Sequence, residues 1–269
     1  MREAAVRIQR KITESEDLMH EMRSGATSSA GSRWAGLRNA AAVAPWWHTA
    51  AIAVLLVGVS VLSGRAAHRD ALAAHHAGRY LFGIGSEWVL LVFTWWGLRL
   101  RRVRFAELLG FRRGLQAFAE DVGAAAIFWI AALIVLAAIG LLLRAVHLSA
   151  PTKTLIAIAP RTPLEMLLWI ALSLSAGFCE EFVFRGYFLR QFASVGAGLW
   201  LGVVCSSLLF GVSHGYEGAA GMIAITAYGA LFCALAIARG SLRPGMMAHA
   251  WHDIFSGAML ALLQHFHPL

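Results

Sequence analysis

Gly177-Phe178-Cys179-Glu180-Glu181-Phe182-Val183-Phe184-Arg185-Gly186 sets two adjacent carboxylates and a guanidinium inside an otherwise apolar run that starts near Leu164. The length and hydropathy of that run predict a membrane-spanning helix. A charge at the centre of such a helix costs roughly 2.5–3.5 kcal/mol on insertion scales, so a simple anchor would carry leucine here. Glu181 and Arg185 are four residues apart, share a helix face and are expected to pair. Glu180 points about 100° away around the axis. Its carboxylate is then free to serve as a general base. The competing reading is a buried ion-pair network that fixes helix packing or carries a transported proton.

The rest of the chain fits a membrane setting. Of its 269 residues 59% are hydrophobic and 14% charged, and the mean hydropathy is +0.64. The apolar runs are continuous rather than alternating, which argues against a β-barrel. The fold class expected is all-α, a polytopic transmembrane helical bundle of about seven spans with an N-terminal amphipathic helix. The runs lie at about 46–63, 80–98, 122–143, 164–190, 198–214, 220–238 and 245–263. Trp46, Trp47, Trp95, Trp96 and Trp200 sit near run ends, as interfacial aromatics do. Pro163 and Pro244 suit the first turns of the fourth and seventh helices.

Ahead of the first run, Ala5, Ile8, Ile12, Ser15, Met19 and Met22 recur at spacings of three and four, the pattern of an amphipathic helix. A Gly- and Ser-rich linker follows from Gly25 to Ser32. No cleavable signal peptide is visible, and the first span is expected to be a retained anchor. The organisation expected is an extramembrane segment at 1–45, accessory transmembrane helices at 46–150 and a catalytic transmembrane core at 151–269.

The net charge of +8 resides in loops between apolar runs, so the lipid bilayer is the expected partner and nucleic acid is not. With a cytoplasmic N-terminus, seventeen of the 23 Lys and Arg residues fall on the cytoplasmic side, as the positive-inside rule favours. Cys179, Cys205 and Cys233 lie in apolar runs and form no metal or redox pattern. A Cys179 thiol nucleophile lacks an evident activating group. No fixed-period or inverted repeat is apparent, which weighs against a transporter.

Two further polar elements accompany the first. Phe210-Gly211-Val212-Ser213-His214 ends the fifth run, and His249-Ala250-Trp251-His252-Asp253 lies early in the seventh. Ionisable residues inside a membrane face the bundle interior and pair with one another. His249 and Asp253 share a face, and His252 competes with His249 for its place. Two chemistries remain open. Glu180 and His214 activate a water directly while His249 and Asp253 orient the substrate or hold the oxyanion. Alternatively His214, His249 and Glu180 bind a zinc ion that lowers the pKa of its water. No HExxH helix, GxSG serine motif or GxGD aspartate pair is present.

The order Glu180-Glu181-x-x-x-Arg185, Phe210-x-x-x-His214 and His249-x-x-x-Asp253 resembles the CAAX protease and bacteriocin-processing (CPBP) intramembrane metalloprotease family. Gly240-Ser241-Leu242-Arg243-Pro244-Gly245 is similar to the family as well. The resemblance covers about residues 164–263. It implies a helical bundle around a conical cavity and an intramembrane endopeptidase acting on membrane-associated peptides or proteins. Glu180 and His214 would carry hydrolysis, His249 and Asp253 would support the oxyanion or metal, and Glu181 and Arg185 would stabilise the site. Eukaryotic relatives remove the last three residues of prenylated CAAX proteins, whereas bacterial relatives process peptides or confer bacteriocin immunity. The short basic chain looks bacterial, which implies an inner-membrane, multi-pass protein. The alternative function is a non-catalytic membrane scaffold or bacteriocin-immunity protein.

Overall fold

The chain's architecture is taken from a computed structural model that describes residues 41–67, 76–148, 158–196 and 198–266. The expected N-terminal amphipathic helix lies outside the described residues. Those residues form helices and connecting turns, with no strand among them. In chain order they are α1 (Trp46–Ala67), α2 (Ala77–Leu100), the short α3 (Phe105–Leu109), α4 (Leu115–Ala145) and α5 (Pro163–Glu180). A π-helical segment (Glu181–Phe188) and α6 (Leu189–Ala193) continue α5 without a break. Then come α7 (Gly198–Ser213), a single 3-10 turn (Gly215–Glu217), α8 (Gly218–Arg239) and α9 (Arg243–Phe266).

Each apolar run of the sequence corresponds to one long helix. Four of these, counting Pro163–Ala193 as one, are long and apolar enough to cross a membrane. Trp46–Leu62 and Gly198–Ser213 are shorter apolar helices. The last helix is not among the four, because His249, His252, Asp253 and Gln264 lower its hydropathy. Large apolar side chains on α1, α2 and α4 point outward, among them Val54, Leu62, Phe82, Val89, Ile127 and Leu141. The five tryptophans near run ends are likewise exposed. A soluble protein does not display such a surface; a bilayer covers it.

In lipid there is no hydrophobic drive between helices, so close packing and internal hydrogen bonds hold the bundle. The antiparallel crossing of α5 and α9 shows how. A Cβ on Gly177 would stand 2.8 Å from the Met246 carbonyl oxygen and 3.0 Å from the Ala250 nitrogen. Only glycine lets the two backbones approach that closely, and Gly177→Leu would force them apart. Two turns earlier, Trp169 Nε1 donates to the Asp253 carbonyl at 2.8 Å.

The helix α5 starts at a well-made cap. Thr162 Oγ1 accepts from Glu165 N at 3.2 Å, and Pro163 occupies the first turn as expected. Glu165 Oε1 accepts from His76 N at 2.8 Å. His76 is buried at the start of α2.

The expected single α-helix over 164–190 is not uniform. It widens into the π segment at Glu181, and every residue of that segment is buried. Nothing in its composition announces this; the surroundings select it. Ser206 Oγ donates to the Phe184 carbonyl at 2.8 Å, and Phe182 stacks on Phe105 with centroids 3.9 Å apart. Tyr187 Oη bonds His48 Nδ1 at 3.0 Å and Thr49 Oγ1 at 2.9 Å. Gln191 clasps the backbone of Ala44 in both directions, at 2.9 and 3.0 Å. The π segment is thus the axle of the bundle, and single-turn π features of this kind concentrate at functional sites.

Candidate active site

The six residues singled out by sequence converge at the junction of α5, the π segment, α7 and α9. Glu180 ends α5 and Glu181 opens the π segment. Arg185 Nη1 donates to Glu181 Oε1 at 2.8 Å, and both side chains are fully buried. The guanidinium also donates to the Gly229 carbonyl at 3.3 Å. It lies 4.2 Å from the Phe210 ring centroid and 4.8 Å from that of Phe232. A buried ion pair needs such additional partners to offset its desolvation. Glu180 makes no ion pair with Arg185, so the two carboxylates have different surroundings, as their spacing suggests.

His214 closes α7. Its Nδ1 lies 2.8 Å from the Phe210 carbonyl, which can only accept, so this nitrogen carries the proton. Nε2 is left as the lone-pair face and stands 4.0 Å from Glu180 Oε2. The turn that carries His214 is pinned from α1, where Ser60 Oγ donates to the Val212 carbonyl and accepts from Gly215 N at 2.9 Å.

His249, on α9, is gripped between the two glutamates. Nδ1 is 3.0 Å from Glu181 Oε1, and Nε2 is 3.7 Å from Glu180 Oε2. Asp253 Oδ2 lies 3.7 Å from the same Nε2. The ring stacks on Phe232 at 5.3 Å. His252, the competitor for this place, packs against Tyr228 at 5.0 Å instead. Cys179 is completely buried within the apolar core, which leaves its thiol no route to a substrate.

The zinc alternative can be tested on these atoms. In its favour, both imidazoles direct Nε2 toward Glu180 and bond an acceptor through Nδ1, the arrangement found behind metal-bound histidines. The spacing does not fit. Ligands of a tetrahedral zinc lie ~3.4 Å apart, given metal bonds of about 2.0–2.2 Å. Here both imidazoles stand farther from Glu180 Oε2, at 3.7 and 4.0 Å. Among the described residues no group of three His, Cys, Asp or Glu side chains could hold a metal ion. The side chains as placed do not form a zinc shell.

Two carboxylates escape the motif-based reading. Glu87, on α2, lies on the side of the bundle where Glu180 and Asp253 stand. Glu217, in the 3-10 turn after His214, faces Tyr216 and lies within electrostatic reach of Glu180. For Glu87 a signal exists: it is an acidic residue in the middle of an apolar run. It lacks a partner three or four residues away, so only the tertiary structure reveals its company.

Residues 162–255 match the family model described as Type II CAAX prenyl endopeptidase Rce1-like. The match takes in all six sequence-predicted residues and excludes α1, α2 and α4. No curated protein and no solved structure matches the chain.

Proposed function

Through residues 162–255 this chain belongs to the type II CAAX prenyl endopeptidase Rce1-like family, and from that premise we propose that it hydrolyses peptide bonds by a water that Glu180 and His214 activate directly. The observation that carries this is the pair of acceptors facing each other, Glu180 Oε2 and His214 Nε2, 4.0 Å apart. That separation is too long for a direct hydrogen bond, and it suits one water that donates a proton to each. Such a water exposes its lone pair for attack on a carbonyl carbon. Glu180 takes the proton as the carbon–oxygen bond forms and returns it to the amine that leaves.

The oxyanion falls to His249. In its protonated form this residue donates from Nε2, while Glu181 holds Nδ1 and Asp253 stands beside the ring. Preorganised donors of this kind are worth about 3–4 kcal/mol each in other hydrolases. Glu181 and Arg185 position His249 and do not touch the substrate. Substrates on this reading are peptides or proteins presented within or at the surface of the bilayer. Residues 151–269 form the catalytic core and 46–150 the accessory helices, in a multi-pass protein of the bacterial inner membrane.

Purified protein reconstituted in liposomes with a quenched-fluorescence peptide library tests the proposal. Wild type cleaves at least one member, and Glu180→Gln and His214→Ala reduce that cleavage at least about 100-fold while eluting as folded protein. Equal cleavage by the variants, or none by wild type together with an intact immunity effect in cells, would transfer the function to the scaffold alternative.

A further inference from the structure

The antiparallel helices α5 and α9 carry opposed halves of the site, Glu180 on one and His249 with Asp253 on the other. Their close crossing at Gly177 touches α9 at Met246 and Ala250. Two rigid helices that meet at one point remain free to pivot about it. A second contact removes that freedom, and Trp169 supplies it. Trp169 lies eight residues before Gly177 on α5, about 12 Å along the axis. Its Nε1 donates to the Asp253 carbonyl at 2.8 Å, one turn beyond His249. The two contacts thus bracket the stretch of α9 that faces Glu180.

The second contact is built rather than incidental. Its acceptor is a mid-helix carbonyl, one that the ladder of α9 already uses through the N–H four residues on. That fourth residue is Gly257, and a Cβ there would overlap the five-membered ring of the Trp169 indole. The glycine therefore opens the side of α9 where the indole must enter to reach the carbonyl. The indole is braced from behind. Tyr80 of α2 meets it edge-on at 5.5 Å and donates its own hydroxyl to the Ile158 carbonyl at 2.6 Å. An indole N–H inside a bundle needs an acceptor. Here the acceptor is the backbone of a residue whose carboxylate stands 3.7 Å from His249 Nε2.

We propose that Trp169 is a positioning residue for the hydrolytic site: its indole N–H, seated in the notch at Gly257, holds the Asp253 backbone and sets the angle at which α9 presents His249 and Asp253 to Glu180. This rests on the reading of that site as hydrolytic. Trp169 touches no reacting atom and acts through the backbone of α9. Without its N–H, α9 is held to α5 at the Gly177 crossing and pivots there. The distance from His249 to Glu180 then varies, and with it the placement of the oxyanion donor.

Two replacements separate this role from packing. Trp169→Phe keeps an aromatic ring for Tyr80 and removes the N–H. Benzothienylalanine at position 169, introduced by nonsense suppression, keeps the full shape of the indole and puts sulfur where the N–H was. In the reconstituted cleavage assay both are expected to lose about 10–100-fold in kcat, the effect of a site misplaced by ~1 Å, with KM within about twofold. Trp200→Phe, a change at an exposed tryptophan, is expected to stay within about twofold in both constants, the scatter of an unperturbed site. Nitrogen NMR of histidine-labelled protein gives a readout independent of cleavage. The His249 ring signals, assigned by their absence from His249→Ala, are expected to shift in both Trp169 replacements and to stay put in Trp200→Phe. Wild-type kcat with benzothienylalanine, a rise in KM in place of the fall in kcat, or unmoved His249 signals would each overturn the proposal. Glu180→Gln, run alongside, reports on the base itself. Activity surviving there counts against the hydrolytic reading, while the His249 signals still decide whether Trp169 sets the angle of α9.

Discussion

His249 Nδ1 lies 3.0 Å from Glu181 Oε1, across 68 positions of sequence, and the same carboxylate oxygen accepts from Arg185 at 2.8 Å. Glu181 therefore does two things at once. It neutralises a buried guanidinium and it sets the orientation of the imidazole that faces Glu180.

The two roles separate by substitution. Glu181→Gln keeps an oxygen for His249 but removes the charge that Arg185 needs. Breaking a buried pair in this way costs about 3–5 kcal/mol. The thermal midpoint is expected to fall, and kcat to fall at least about tenfold with it. Differential scanning fluorimetry and peptide cleavage on one preparation measure both.

His249 and His252 are three residues apart and divide sharply in environment. His249→Ala is expected to reduce cleavage at least about 100-fold, because it removes the donor to the oxyanion. His252→Ala, which trims a ring against Tyr228, is expected to stay within about fivefold. Parallel kcat/KM values for the two variants provide the check.

Arg185→Lys preserves charge and is still expected to be damaging. An ammonium cannot reach Glu181 and the Gly229 carbonyl in the guanidinium's flat geometry, nor lie between the rings of Phe210 and Phe232 as it does. A stability loss of about 2–3 kcal/mol is expected, within the range for a weakened buried network. Equilibrium unfolding in mixed detergent is the measurement.

Chelation addresses the metal alternative. If Glu180 and His214 activate water directly, dialysis against a strong chelator leaves kcat within about twofold, the scatter expected of an unperturbed site. Loss of activity that zinc restores would assign the water to a metal, with Glu180, His214 and His249 drawn closer than they stand here.

Much of this was legible in the sequence, for a physical reason. Ionisable groups are so costly in a bilayer that Glu180, Glu181, Arg185 and Asp253 stand out from their apolar runs. Helical spacing then pairs Glu181 with Arg185, and the structure agrees. Glu180, His214 and Asp253 belong to three different apolar runs. The close crossing at Gly177 and the Ser60 pin on the His214 turn show how tertiary packing brings them together. Such contacts depend on pairs of residues far apart in sequence. For the same reason Ser60 and His48 carry no local mark of their roles. The widening at Glu181–Phe188 was equally hidden, since Phe184's second acceptor is satisfied by Ser206 from another helix.

That wider turn has a genetic consequence. A π segment holds more residues in its length than an α-helix does, and both ends of this one are tied, Glu181 to His249 and Gln191 to Ala44. Losing one codon between them would let the segment tighten to α geometry, and the tighter winding would offset the missing residue, so that the chain beyond would keep close to its present direction. Both tied ends would then stay near their partners. A single-residue gap in this stretch is consequently the length change that homologous chains are expected to tolerate best.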